Sequence, residues 1–122
     1  MSSSSPKNTT CVVLTSSMVS VADQKNQITQ LVQLLNGKRI VYKEIDCSLE
    51  ENKELRDFYF EKSKIRANYP QVFLQTLDEI KYIGSFAEIE QLNEMCDVPE
   101  DILKANNIET LDTVFADVAR KL

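Results

Sequence analysis

The sequence predicts an α/β domain, a mixed four-stranded sheet with helices on both faces in the order β-α-β-α-β-β-α and an extra helix at the C-terminus. Three observations carry this expectation. Short β-branched runs, Val12-Val13-Leu14 and Val72-Phe73-Leu74, have the length and composition of buried strands. Apolar residues at helical spacing lie between them, as at Ile28, Leu31, Val32 and Leu35. Two further strand-like runs, 71–75 and 79–83, are separated by Thr76-Leu77-Asp78 alone, a connection suited to an antiparallel hairpin.

Along the chain, Cys11-Val12-Val13-Leu14-Thr15 reads as a first central strand, apolar on both faces. Ser20 and Asp23 have the spacing of a helix start, and Asn36-Gly37 ends that helix, Gly37 being free to take a left-handed cap. Arg39-Ile40-Val41-Tyr42-Lys43-Glu44-Ile45-Asp46 returns to a period of two, so strand, helix and strand form a parallel right-handed crossover. Ser48 and Glu51 repeat the capping spacing, and Leu55, Phe58, Tyr59 and Lys62 mark one side of a second helix. Its other side carries Glu50, Glu51, Glu54, Asp57 and Glu61, the pattern of a solvated face.

After the hairpin, Gly84 and the Ser85-x-x-Glu88 capping box open a third helix with Phe86, Ile89, Leu92 and Cys96 on its apolar side. Pro99 and Asp97-x-x-Glu100 start a short turn through Lys104, and Asn106-Asn107 breaks it. Leu111, Val114, Phe115, Val118 and Leu122 then predict a C-terminal helix docked on the domain. The resulting division is a disordered Ser-rich tail over 1–10, a domain over 11–96 and a helical extension over 97–122. This element order is the thioredoxin arrangement, and it also fits other α/β sandwiches.

Composition narrows the function classes. With 122 residues, 43% of them apolar, the chain supports one core. Its net charge is −5, and no basic run interleaved with aromatics occurs, which disfavours nucleic acid. No segment has the roughly 20 apolar residues of a membrane helix, and the N-terminus lacks a signal pattern, so a cytoplasmic, membrane-free monomer is expected. Cys11, Cys47 and Cys96 are dispersed without C-x-x-C, and there is no histidine, so no structural metal site is expected. Cys11 and Cys47 are expected at edges away from the tip of the first helix.

Thr15, Ser16 and Ser17 before the first helix, Ile40 and Tyr42 in the second strand, Glu50-Glu51-Asn52 opening the second helix, and Pro70-Gln71-Val72-Phe73 leading into the hairpin occur in a telling order. Together they are similar to the SH3-domain-binding glutamic-acid-rich-like family, a glutaredoxin-related group in the thioredoxin fold. The resemblance covers roughly residues 12–94. It implies small hydroxyl residues in place of a redox pair after the first strand. It also implies a cis bond between Tyr69 and Pro70, with the Tyr69 backbone facing the start of the first helix. On the residues alone, Pro70 can equally lead into the hairpin in trans.

By the same resemblance, the backbone N–H groups of Ser85 and Phe86 at a helix start would hold the γ-glutamyl end of glutathione. The acidic side chain that should accompany them is replaced by Ala87. Lys64 or Arg66 would approach the glycyl carboxylate. Ser16, Ser17, Tyr69, Pro70, Ser85 and Phe86 are thus the candidate residues of a degenerate glutathione-like groove, and any glutathione binding is expected to be weak.

Dithiol exchange needs a low-pKa thiolate at the start of the first helix, where this chain has Ser16, Ser17, Met18, Val19 and Ser20. Without a histidine, no hydroxyl there has that usual base. A transferase reading would need a large additional helical domain, and too little chain follows the third helix. The leading expectation is a non-catalytic, glutaredoxin-like module for protein–protein interaction or scaffolding, with an unidentified protein partner and no cofactor. The alternative is a glutathione-binding, redox-linked protein in which Cys47 or Cys96 is modified. Assembly through the C-terminal helix is a third. The prolines are Pro6, Pro70 and Pro99, so there is no P-x-x-P for an SH3 domain to read.

Overall fold

The structure is a computed structural model that describes residues 8–19 and 21–121. Its four strands are β1 (Thr10–Thr15), β2 (Tyr42–Asp46), β3 (Gln71–Gln75) and β4 (Ile80–Gly84). The helices are α1 (Ala22–Gly37), α2 (Lys53–Ser63), α3 (Phe86–Glu94), α4 (Glu100–Ala105) and α5 (Leu111–Val114). The sheet order is β2-β1-β3-β4, with β1 and β2 parallel and the other pairs antiparallel. This is the expected β-α-β-α-β-β-α order and is consistent with a thioredoxin-like fold.

Period-two alternation along β1 builds two cores. Cys11 and Val13 point to one face, where they meet Leu31 and Leu35 of α1, Ile89 of α3, and Leu111, Phe115 and Val118 of the C-terminal segment. Val12 and Leu14 point to the other, where Ile45, Cys47, Tyr59, Phe60, Tyr69 and Phe73 enclose them. A strand buried on both faces cannot be amphipathic, which is why β1 is a continuous apolar run.

Several local expectations change. Gly37 is the last residue of α1, and the left-handed conformation falls instead on Arg39, at φ 60. The start of α1 expected at Ser20 lies outside the described residues. α2 begins not at Ser48 but after a 3-10 turn, Glu50–Asn52, because the Ser48 side chain is drawn to Asp46. Its buried face carries Tyr59 and Phe60, whereas Leu55 and Phe58 are exposed. Both faces share Tyr59, and Phe60 is selected because it packs on Tyr69, ring to ring at 6.1 Å.

The C-terminal helix expected over 111–122 is only Leu111–Val114. Its apolar residues still dock, but the chain beyond Phe115 turns and runs extended. Thr9 N–H donates to Asp117 O at 3.3 Å, Val41 N–H to Ala119 O at 3.0 Å and Lys121 N–H to Arg39 O at 2.7 Å. Backbone partners on the starts of β1 and β2 thus replace a further helical turn. Thr10, placed with the tail by composition, is the first residue of β1, and Thr9 bridges to Val118. No helix among the described residues is long and apolar enough to cross a membrane.

Candidate functional site

Strand register gathers the candidate residues at one end of the sheet. Thr15 lies opposite Asp46, Leu14 opposite Gln71, and Val72 opposite Gly84. The segments that follow or precede those residues, 16–19, 47–49, 69–70 and 85–86, therefore leave the sheet on the same side. Ser16, Ser17, Tyr69, Pro70, Ser85 and Phe86 sit on three of these four segments.

Asp46 organises this end. Its Oδ1 accepts the Ser17 N–H at 3.1 Å, the Ser48 N–H at 3.0 Å and the Ser48 hydroxyl at 2.6 Å. The Ser17 and Ser48 hydroxyls lie 2.9 Å apart. Burial alone would raise the Asp46 carboxyl, but the hydrogen bonds from Ser48 and Ser17 outweigh it and hold the group at about 2. A carboxylate at the end of β2 therefore clasps the loop that follows β1. Ser16 works within that loop, its Oγ accepting the Met18 N–H at 3.3 Å.

The bond between Tyr69 and Pro70 is cis. Gln24 Oε1, near the start of α1, accepts the Tyr69 N–H at 3.2 Å, so this donor faces the first helix and is engaged within the chain. Gln71 secures the approach to it, its Nε2 donating to Ile65 O at 3.1 Å and to Asn68 O at 2.9 Å. At the start of α3, Glu88 Oε1 accepts the Ser85 N–H at 2.7 Å, the reciprocal arm of the expected capping box. Gly84 makes this closeness tolerable. Its φ is +149, and a Cβ there would lie 2.5 Å from Glu88 Cβ.

Two of the three thiols, Cys11 and Cys47, are buried. Burial pushes the Cys11 thiol up to about 12. Burial also dominates at Cys47, which sits at about 11 despite a hydrogen bond from the Tyr69 hydroxyl and the nearby Arg56 charge. Cys47 is not at an edge away from the first helix, as the sequence suggested. Its N–H donates to Thr15 O at 2.8 Å, because parallel strands β1 and β2 end at the same side. Cys96 is half-buried on the other core, with Sγ 3.7 Å from Asp112 Oδ2. Arg66, a candidate for an anionic ligand, instead pairs with Asp57 at 3.7 Å.

Sequence reasoning missed Asp46, Ser48 and Gln24. Asp46 carried one usable signal, since it ends a strand predicted to run parallel to β1 and must finish beside the loop after Thr15. Around the clasp, Met18 is 78% exposed and Leu49 is 44% exposed, an apolar pair on the two loops that Ser17 and Ser48 join.

A thioredoxin-like domain whose first helix is preceded by a serine loop held through Ser17 to a strand-end carboxylate, with no cysteine in that loop, defines a glutaredoxin-like class lacking the dithiol site. The family model for SH3-binding, glutamic acid-rich protein matches residues 9–110. The chain belongs to that family. No curated protein matches the chain.

Proposed function

We propose that the protein is a non-catalytic binding module whose recognition surface is the loop end of the sheet. The observation that carries this reading is the clasp itself: the Asp46 carboxylate fixes the Ser17 and Ser48 loops through three hydrogen bonds and leaves Met18 and Leu49 turned to solvent. A rigid loop bearing exposed apolar side chains suits protein recognition, because little ordering entropy is lost on binding. The buried, high-pKa thiols of Cys11 and Cys47 argue against thiol exchange.

Glutathione binding is the weaker reading. Two of the backbone donors that the resemblance would offer, at Tyr69 and Ser85, are engaged by Gln24 and Glu88. The SH3 binding in the family's name has no polyproline segment to act through, and Pro70 is buried in a cis bond.

Two measurements test the proposal. Reduced glutathione titrated into labelled protein should leave the amides of Ser16, Ser17, Tyr69, Ser85 and Phe86 unmoved; saturable shifts there would favour the glutathione reading. A photo-crosslinking residue at position 18 should capture one discrete protein in cell extract, and Leu49→Asp should abolish the adduct. An adduct pattern indifferent to Leu49 would sink the assignment of this surface.

A further inference from the structure

We propose that the outer edge of β4 pairs with the same edge of a second copy of this chain, as a closed antiparallel ladder centred on Ile80. The sheet order leaves β4 at an edge, and among the described residues nothing pairs with its outer side. The hydrogen bond from Thr76 N–H to Glu79 O, at 2.9 Å, sets the phase of the hairpin. Bonded pairs alternate along an antiparallel ladder, so Lys81 bonds inward opposite Leu74 while Ile80 and Tyr82 direct their backbone groups outward. An irregularity in pairing at Val72/Phe73 ends the regular edge after Tyr82.

Charge then selects the occupant and the register. Placing Ile80 opposite the partner's Ile80 sets Glu79 against the partner's Lys81, and by the two-fold axis Lys81 against the partner's Glu79. Both side chains are exposed, and neither has an ion pair among the described residues. Sliding the ladder to set Ile80 against the partner's Tyr82 would oppose two Lys81 side chains, which disfavours it. Ile80 borders a mostly polar hollow of about 300 Å³ whose lining also includes the exposed Phe58 and Leu77 together with Lys62 and Asp78. An open strand edge invites association, and a two-fold ladder occupies the β4 edge of both copies.

This surface is distinct from the loop end, and it departs from the monomer expected from the sequence, which does not show which strand lies at the edge. The ladder spans only residues 79–82 of each copy, a small contact, so the association is reversible. Sedimentation equilibrium over a roughly hundredfold concentration range should show monomer and dimer. Amide shifts with concentration should centre on residues 79–82. Glu79→Lys and Lys81→Glu should each weaken self-association by about tenfold or more, and the double charge swap should restore it. Circular dichroism on each variant establishes that the fold is retained. A monomer at every concentration, or a dimer that both single variants leave unchanged, overturns the proposal.

Discussion

Asp46 at the end of β2 accepts the backbone N–H of Ser17, 29 residues away, at 3.1 Å. That contact, with the two from Ser48, closes the loop after β1 onto the neighbouring strand. Asp46→Ala should lower stability by about 1–3 kcal/mol, the range for removing hydrogen bonds to a charged group. Chemical denaturation measures the loss, and amide exchange at Ser17 and Ser48 should quicken in the variant.

The same carboxylate makes stability depend on acid. Its folded value of about 2 lies below the ordinary 3.8, so its contribution is complete above pH ~4 and is lost as pH falls toward 2. Discounted for solvent screening, the contribution is about 1–2 kcal/mol. Asp46→Asn should flatten the stability profile in that window and leave it unchanged in shape above pH ~5.

Thiol reactivity should divide by burial. Cys11 and Cys47 are buried and raised to about 12 and 11, so at neutral pH each holds roughly a hundredfold less thiolate than an ordinary cysteine, or lower still. Under native conditions a maleimide should label the half-buried Cys96 first. Peptide mass spectrometry against a denatured control reads the order; early labelling of Cys47 would contradict the geometry.

Gly84→Ala should destabilise the domain by about 2 kcal/mol or more. An L residue is strained at φ +149, and the new Cβ would press on Glu88 Cβ at 2.5 Å, breaking the bond that caps Ser85. Thermal melting gives the magnitude. Gly37→Ala is the control, since no atom lies within 4 Å of the added Cβ.

Ending the chain at Asn106 removes Leu111, Phe115 and Val118, three residues of the larger core that are at most 2% exposed. At about 1.5–3 kcal/mol each, their loss rivals the whole stability of a domain this size, and the truncated chain should be unfolded. A folded truncated domain, seen by near-ultraviolet circular dichroism, would show that the segment is not integral to the core.

What the sequence determined by itself was the order of elements, the buried first strand, the hairpin, the Ser85/Glu88 start of α3 and the absence of a cysteine from the loop between β1 and α1. These are local properties. Period-two and period-3.6 patterns, capping spacings and residue identities are complete within a few positions of one another. The cis bond at Pro70 was legible through resemblance alone, since the residues permitted either isomer.

Only the tertiary structure decided which face of α2 is buried, how the chain ends, and what the candidate residues touch. Gln24 meets Tyr69 across 45 positions and Ser17 meets Ser48 across 31. A single polar contact between distant segments leaves no period in the sequence, because it arises from strand register and loop geometry after the cores have packed. The same holds for the C-terminus: Leu111, Phe115 and Val118 are spaced as a helix would space them, yet backbone partners on Thr9, Arg39 and Val41 draw the chain out into an extended strap.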